Sequence, residues 1–446
     1  MIYKKDTIYA LSTLLGKSGV AIIRVSGPAC FEIGEKYNFA DKMMSNRLFR
    51  HNLYSLIDAS LIDECMIVYF KSPHSFTGED VLEFHTHGSV AVIKKLLSEL
   101  STFESVRIAS QGEFSKRAFL NGKLDLSQAE GLAALIEAET EMQRLVASRQ
   151  MAGEQSSLYE SWRQKLVKIL AQLEALIDFP TEDIPEEILA IAAGEISNVS
   201  AAIHKHLKQT NSAEIIKRGI RVCIMGEPNA GKSTLINSIA RREVSITSQI
   251  AGTTRDVIEV RMDIAGFPFI FYDTAGIRES GDIIEKEGVK RAYAALEDAD
   301  LCLLVVDATS SMPEKLINHI AAVNKKYKIV RNKMDLVANL SEDCDGLINV
   351  SLLGDDEKAV QLIISYLEKH ASETFTPAAE PLLASERHRI LLSEAISYLD
   401  AFNLSYPLDV SSEYVRMAAT SLGQIIGKID VEEILDTIFS SFCIGK

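Results

Sequence analysis

The sequence lacks most of what would staple, anchor or export a chain. Its six cysteines (Cys30, Cys65, Cys223, Cys302, Cys344 and Cys443) are scattered, with no Cys-x-x-Cys pair. That excludes a disulfide framework and a zinc site as organising features. Cys223 and Cys302 sit inside apolar strand-like runs and read as plain core residues. There is no low-complexity tract, no repeat of fixed period, and no run of about 18 apolar residues that could span a bilayer. The opening Met1-Ile2-Tyr3-Lys4-Lys5-Asp6 has neither the apolar stretch nor the small-residue cleavage site of a signal peptide. A cytoplasmic protein with no membrane partner is therefore expected. Positive charge is also short: the formal net charge is −15. A protein that wraps nucleic acid without sequence preference is usually basic. Any RNA contact must use a local patch, a bound cofactor or a partner protein.

What is present is an ordinary globular composition, 47% hydrophobic and 24% charged, over 446 residues. That length predicts two or three domains. The most informative stretch is Gly226-Glu227-Pro228-Asn229-Ala230-Gly231-Lys232-Ser233, between the apolar run Ile220–Met225 and the helical text from Thr234. Strand, glycine-rich turn and helix at the spacing G-x-x-x-x-G-K-S make a P-loop. The glycines let backbone N–H groups converge on a phosphate, and the following helix turns its positive end to the same anion. Lys232 is expected on the β and γ phosphates and the Ser233 hydroxyl on Mg²⁺.

Further GTPase parts follow in order. Gly252-Thr253-Thr254-Arg255-Asp256 lies between the first helix and the next strand, where a threonine hydroxyl reaches Mg²⁺; Thr254 is assigned that role. Ile270-Phe271-Tyr272 runs into Asp273-Thr274-Ala275-Gly276, a Mg²⁺ carboxylate and a γ-phosphate sensor. The strand Tyr327–Val330 ends in Asn332-Lys333-Met334-Asp335. The Asp335 carboxylate can accept from both N1–H and the 2-amino group of guanine; adenine lacks both donors, which selects GTP. The nucleotide contacts are thus expected at Asn229 to Thr234, Ser248, Gln249, Ile250, Ala251, Gly252, Thr253, Thr254, Asp273 to Gly276, Asn332, Lys333, Asp335, Ser351, Leu352 and Leu353. Where many signalling GTPases carry a water-orienting glutamine, this chain has Ile277, so Glu285 is the candidate catalytic carboxylate. Asn229 reads either as a turn residue or as an amide ligand for a monovalent cation beside the phosphates.

Around this unit the text changes character. Gly19–Val25, Glu64–Phe70 and Val81–His85 are strand candidates and Val90–Leu100 is helical, a small α+β domain. His85 and His87, two apart on a strand, share a face; without a third ligand they read as hydrogen-bonded structural residues rather than a metal site. Leu158, Trp162, Leu166, Ile169, Leu170, Leu173, Leu176 and Ile177 form the stripe of an amphipathic helix. Helical text runs from Glu186 to Lys208 and returns at Arg387, and Asp430 with Glu433 resembles a capping box for a helix Val431–Phe439. The expected layout is multidomain: an α+β N-terminal domain (1–119), an all-α helical domain in two parts (120–214 and 377–446), and an inserted α/β P-loop, Ras-like GTPase domain (215–376).

Taken with Asp6-Thr7-Ile8, Phe76–Glu83, Gly112–Leu126, Ile177–Pro180 and the terminal Phe442-Cys443-Ile444-Gly445-Lys446, these motifs resemble the MnmE (TrmE) family of tRNA modification GTPases over nearly the full length. The resemblance implies an N-terminal domain that forms a homodimer and binds a 5-formyltetrahydrofolate-type one-carbon donor, with Arg24, Glu83, Lys123 and Lys446 at the folate. It implies a MnmG (GidA) type flavoprotein partner and modification at C5 of the wobble uridine of certain tRNAs. It maps K⁺ ligation onto Asn229, Ser248, the Ile250 carbonyl and Thr253 within a loop Val244–Thr253, and catalysis onto Glu285. Cys443 matches the family's C-terminal cysteine, either a nucleophile or a packing residue in a tail that places Lys446. Two departures stand out. Ser351-Leu352-Leu353 replaces a Ser-Ala-Lys or Ser-Ala-Arg text and loses the stacking of a long basic side chain; His85-Thr86-His87-Gly88-Ser89 replaces glycine-richer text. A ribosome-assembly GTPase switch is the competing reading, but neither flank carries a basic RNA-binding appendage. A dynamin-like membrane GTPase would call for a basic amphipathic helix or lipidation signal, and none is present.

Overall fold

The computed structural model describes residues 6–178, 186–209, 211–242, 258–273, 293–337, 347–353, 357–375 and 385–429, with 435, 438–440, 442 and 445. They fall into two compact units: Met1–Ala133 with Met151–Ala193 and Ser397–Lys446, and Ala134–Gln150 with Gly194–Ile396.

The first unit holds a six-stranded sheet: β1 (Thr7–Leu11), β2 (Ser18–Ser26), β3 (Arg47–Tyr54), β4 (Leu61–Phe70), β5 (Val81–Gly88) and β6 (Val106–Ile108), in the order β3-β4-β5-β2-β1-β6. Pairing is antiparallel except for β1 with β6. The three strands expected from sequence are there with wider limits; β3 was not expected. It is an edge strand whose Leu48, Arg50, Asn52 and Tyr54 are exposed, so it carries no continuous apolar signal. The helix Val90–Leu100 has the expected limits and buries Ile93, Leu96 and Leu100, one face of a 3.6-residue period, in the core with Ile23, Ile67 and Phe84.

Further along, the helix Glu154–Asp178 buries Tyr159, Trp162, Leu166, Ile169 and Leu173 at alternating intervals of three and four and packs on the helix Leu408–Ile425. Its stripe is narrower than expected: Leu158, Leu170 and Leu176 are half-buried and Ile177 is exposed. Most of the expected terminal helix lies outside the described residues; Leu435, Phe439 and Phe442 pack against Leu126 and Ala129. The Ser12 hydroxyl donates to the Gly445 carbonyl at 3.0 Å, so the tail reaches the β1–β2 turn.

The second unit is built on β7 (Ile220–Met225), β8 (Ile258–Ile264), β9 (Phe267–Asp273), β10 (Leu301–Asp307), β11 (Tyr327–Asn332) and β12 (Leu347–Asn349), ordered β12-β11-β10-β7-β9-β8. All pairs are parallel except β8 with β9. The continuous apolar run Leu301–Val306 is what a central strand covered on both faces requires. Cys223 and Cys302 are fully buried in this core, and burial pushes the Cys223 thiol up to about 12. The helix Glu141–Met151 belongs here too: Val146 joins the core with Ala213 and Ile216, and the Met142 N–H donates to the Gly266 carbonyl at 3.0 Å. Among the described residues, no helix is long and apolar enough to cross a membrane.

Candidate functional site

In an open parallel sheet ligands settle beyond the carboxyl ends of the strands. That is where β7, β11 and β12 lead into the expected nucleotide residues. β7 ends at Met225, the loop follows, and the helix Lys232–Arg242 begins directly after Gly231. Gly226 has φ +150° and Gly231 φ +104°. A Cβ on Gly226 would overlap the Val305 carbonyl and one on Gly231 would overlap the Asn332 amide, so only glycine permits this loop path. Asn229 is left-handed at φ +62°, a conformation asparagine tolerates better than most residues. The Lys232 ammonium donates to the Gly226 and Glu227 carbonyls, each at 2.8 Å, which holds it along the loop. The backbone groups and the cation that a polyphosphate needs are thus gathered in one turn.

Asn332 joins this loop to the base-recognition segments. Its Nδ2 donates to the Ala230 carbonyl at 2.9 Å and its Oδ1 accepts from the Leu352 N–H at 3.0 Å. Lys333 is left-handed, φ +63°, and its ammonium meets the Asp307 carboxylate at 2.6 Å. Hydrogen bonds from Lys333 and Thr309 push the Asp307 carboxyl down to about 2. The Ser351 hydroxyl donates to Asp335, an exposed carboxylate. Leu352 is buried and Leu353 is 79% exposed, so the latter offers an apolar surface where a basic chain was the family expectation. Asp307 and Thr309 were missed from sequence; the register that sets Asp307 beside Asn332 was not legible there.

The expected Ser248, Gln249, Ile250, Ala251, Gly252, Thr253, Thr254, Thr274, Ala275, Gly276, Glu285, Cys443 and Lys446 lie outside the described residues, as does the side chain of Asp273.

A second cluster lies on the first unit's sheet. Arg24 on β2 stands opposite Glu83 on β5, and Nε donates to Oε1 at 2.8 Å. The guanidinium also lies 5.6 Å from the Phe76 ring centre and 5.8 Å from that of Phe114. Burial opposes ionisation of Glu83, but hydrogen bonds from His85 and Arg24 carry its carboxyl below the usual range. The Lys123 ammonium donates to the Pro73 carbonyl at 2.9 Å. An ionised carboxylate, a guanidinium and two aromatic rings suit a planar heterocycle with N–H donors. Beneath them, Arg117 is 1% exposed and bonds Asp6, Glu79 and Glu113. Burial works against its charge, and the carboxylates more than offset that. Glu79 in turn accepts from Ser26 at 2.7 Å. His85 and His87 have separate partners, Glu83 at 3.1 Å and Asp63 at 2.8 Å. Among the described residues no group of three or more His, Cys, Asp or Glu side chains could hold a metal.

Known protein families match nearly the whole chain. Residues 7–123 match the GTP-binding protein TrmE N-terminus and residues 126–443 match the MnmE helical domain. The tRNA modification GTPase MnmE of Orientia tsutsugamushi (strain Boryong) is 45% identical over 450 residues, covering 99% of each chain. That of Rickettsia rickettsii (strain Sheila Smith) is 42% identical over 449 residues, 99% of this chain and 100% of its relative. From its first strand to its C-terminal segment, the chain belongs to the MnmE/TrmE family of tRNA modification GTPases.

Proposed function

We propose that the protein hydrolyses GTP in the cytoplasm and couples that cycle to tRNA modification. The observation that carries the reading is Asn332, which ties the phosphate loop to the guanine-recognition segment through two buried hydrogen bonds. Backbone N–H groups from Asn229 to Thr234 bind the phosphates, Lys232 pairs with them, and Asp335 selects guanine. Ser233 and Thr254 would hold Mg²⁺, with Asp273 near it, and Asn229, Ser248, the Ile250 carbonyl and Thr253 would hold K⁺. These cations supply the positive charge that phosphoryl transfer develops a need for at the leaving oxygen. Glu285 orients the attacking water.

The tRNA side of the reading rests on the relatives, which are named tRNA modification GTPases. Arg24, Glu83, Lys123 and Lys446 bind a 5-formyltetrahydrofolate-type donor, the N-terminal domain forms a homodimer, and a MnmG-type flavoprotein is the partner with C5 of the wobble uridine as target. Cys443 either attacks the uridine or packs the tail. The layout 1–119, 120–214, 215–376 and 377–446 is the division that goes with these roles.

The test is GTP hydrolysis in K⁺ against Na⁺ at matched ionic strength. Strong K⁺ stimulation, lost in Asn229→Ala, is expected. Equal rates in the two salts would sink the cation mechanism and leave a GTPase with another source of charge.

A further inference from the structure

An acidic chain that acts on tRNA needs somewhere to meet the phosphate backbone. One concave surface of the first unit is lined by more cations than carboxylates. A groove of about 680 Å³ is bounded by the helix Cys30–Lys36, the short turn Ala40–Lys42 and the edge strand β3. Three cations from those three elements, Lys36, Lys42 and Arg50, line it, and Glu64 is the one carboxylate among the lining residues. Among the described residues Lys36 and Lys42 have no ion-pair partner. Arg50 pairs with Glu64 at 2.5 Å, but its side chain remains 69% exposed. A surface lysine is ordinarily just solvated, and Lys36 also suits its helix C-terminus. Convergence of three cations on one concavity in a chain of net charge −15 is not explained by either.

The edge strand adds a second chemistry. Alternation along β3 puts Arg50, Asn52 and Tyr54 on one face, and Tyr54 is 51% exposed at the strand's end. A cation, an amide and an open aromatic ring in a row can take a phosphate, a base edge and a stacked base. The His51 ring, which also lines the groove, is held by the Tyr37 carbonyl at 2.9 Å. Burial, with Lys42 adding to it, lowers the His51 pKa, and Nε2–H donates to the Tyr37 carbonyl.

We propose that this groove docks the tRNA, with Lys36, Lys42 and Arg50 on backbone phosphates and Tyr54 under an unpaired base. The inference rests on the tRNA-acting reading above, and its test separates the two. Binding of an unmodified tRNA transcript by the full chain is measured across salt concentrations for the wild type, the double variant Lys36→Glu/Lys42→Glu, Tyr54→Ala and Tyr54→Phe. Each lost phosphate contact flattens the plot of log affinity against log salt by roughly 0.7–0.9. The double variant is expected to bind at least roughly tenfold more weakly at low salt, with the slope flatter by roughly 1.4–1.8, while its GTP hydrolysis is unchanged. Tyr54→Ala is expected to weaken binding severalfold at an unaltered slope, and Tyr54→Phe to restore it. If the wild type binds tRNA and the double variant binds with the same affinity and slope, the groove proposal is overturned and the tRNA reading stands. If the wild type binds no tRNA at any salt, the groove proposal falls and any tRNA contact must come from a partner protein.

Discussion

Replacing Asn332 with alanine removes the amide that holds two loops together, and the structure sets the size of the loss. Both partners are buried: Ala230 is 1% exposed and Leu352 6%. Truncation leaves one carbonyl and one N–H without a protein partner. A buried group left unsatisfied costs about 1–3 kcal/mol, so the two together come to roughly 2–6 kcal/mol if the loops do not collapse onto each other. At about 1.4 kcal/mol per factor of ten, even the low end is roughly thirtyfold in the population of the closed loops. Asn332→Asp sharpens the test, because a carboxylate still accepts from the Leu352 N–H but sets an oxygen against the Ala230 carbonyl. It is expected to be at least as damaging as alanine. Two assays apply: affinity for a fluorescent GDP analogue, and hydrogen exchange in the peptide carrying Leu352. Asn332→Asp with wild-type affinity and wild-type protection would refute the idea that the donor amide joins the two segments.

Gly226→Ala places a Cβ on the Val305 carbonyl and should reduce GDP-analogue affinity by more than tenfold while far-ultraviolet circular dichroism stays native. Asp307→Asn should release Lys333, raising the KM for GTP severalfold with kcat unchanged. The Asp307 carboxyl is held at about 2, below its usual value, so its contribution is full above pH 5 and is lost only as pH falls toward 2. Affinity profiles of wild type and Asp307→Asn should therefore run parallel from pH 5 to 8, and convergence in that range would count against the pairing. Glu83→Gln should weaken binding of a reduced folate, measured by calorimetry. Because folding lowers the Glu83 pKa, its contribution is present above the unfolded value of about 4.3 and declines as pH falls through the lower folded one.

The phosphate loop was legible because its spacing is local: glycines, lysine and serine within eight residues report a backbone conformation directly. The helices Val90–Leu100 and Glu154–Asp178 were legible for the same reason, since burial on one face imposes a period of 3.6. Strand β3 was not, because an edge strand that is polar on its open face offers no such pattern. Nor was the pairing of Lys333 with Asp307, 26 positions apart in sequence, which exists only through the register of β10 with β11. Arg117 is the clearest case. Its own helix supplies only Glu113, one turn earlier; the other two carboxylates, Asp6 and Glu79, come from distant parts of the chain, so its burial could not be read locally.

That same cluster sets a timetable for synthesis. Asp6 lies 111 residues before Arg117, and β1 lies between β2 and β6, whose residues follow β1 by about a hundred positions. At about 5–20 residues per second of elongation, roughly 5–20 seconds separate the emergence of the first strand from that of its guanidinium partner and of its parallel neighbour. Through that interval the β1–β2 hairpin exposes an open edge and an uncompensated Asp6. The first strand thus waits for residues about a hundred positions later before its edge is paired and Asp6 is compensated, and a nascent chain stalled before Arg117 keeps both open.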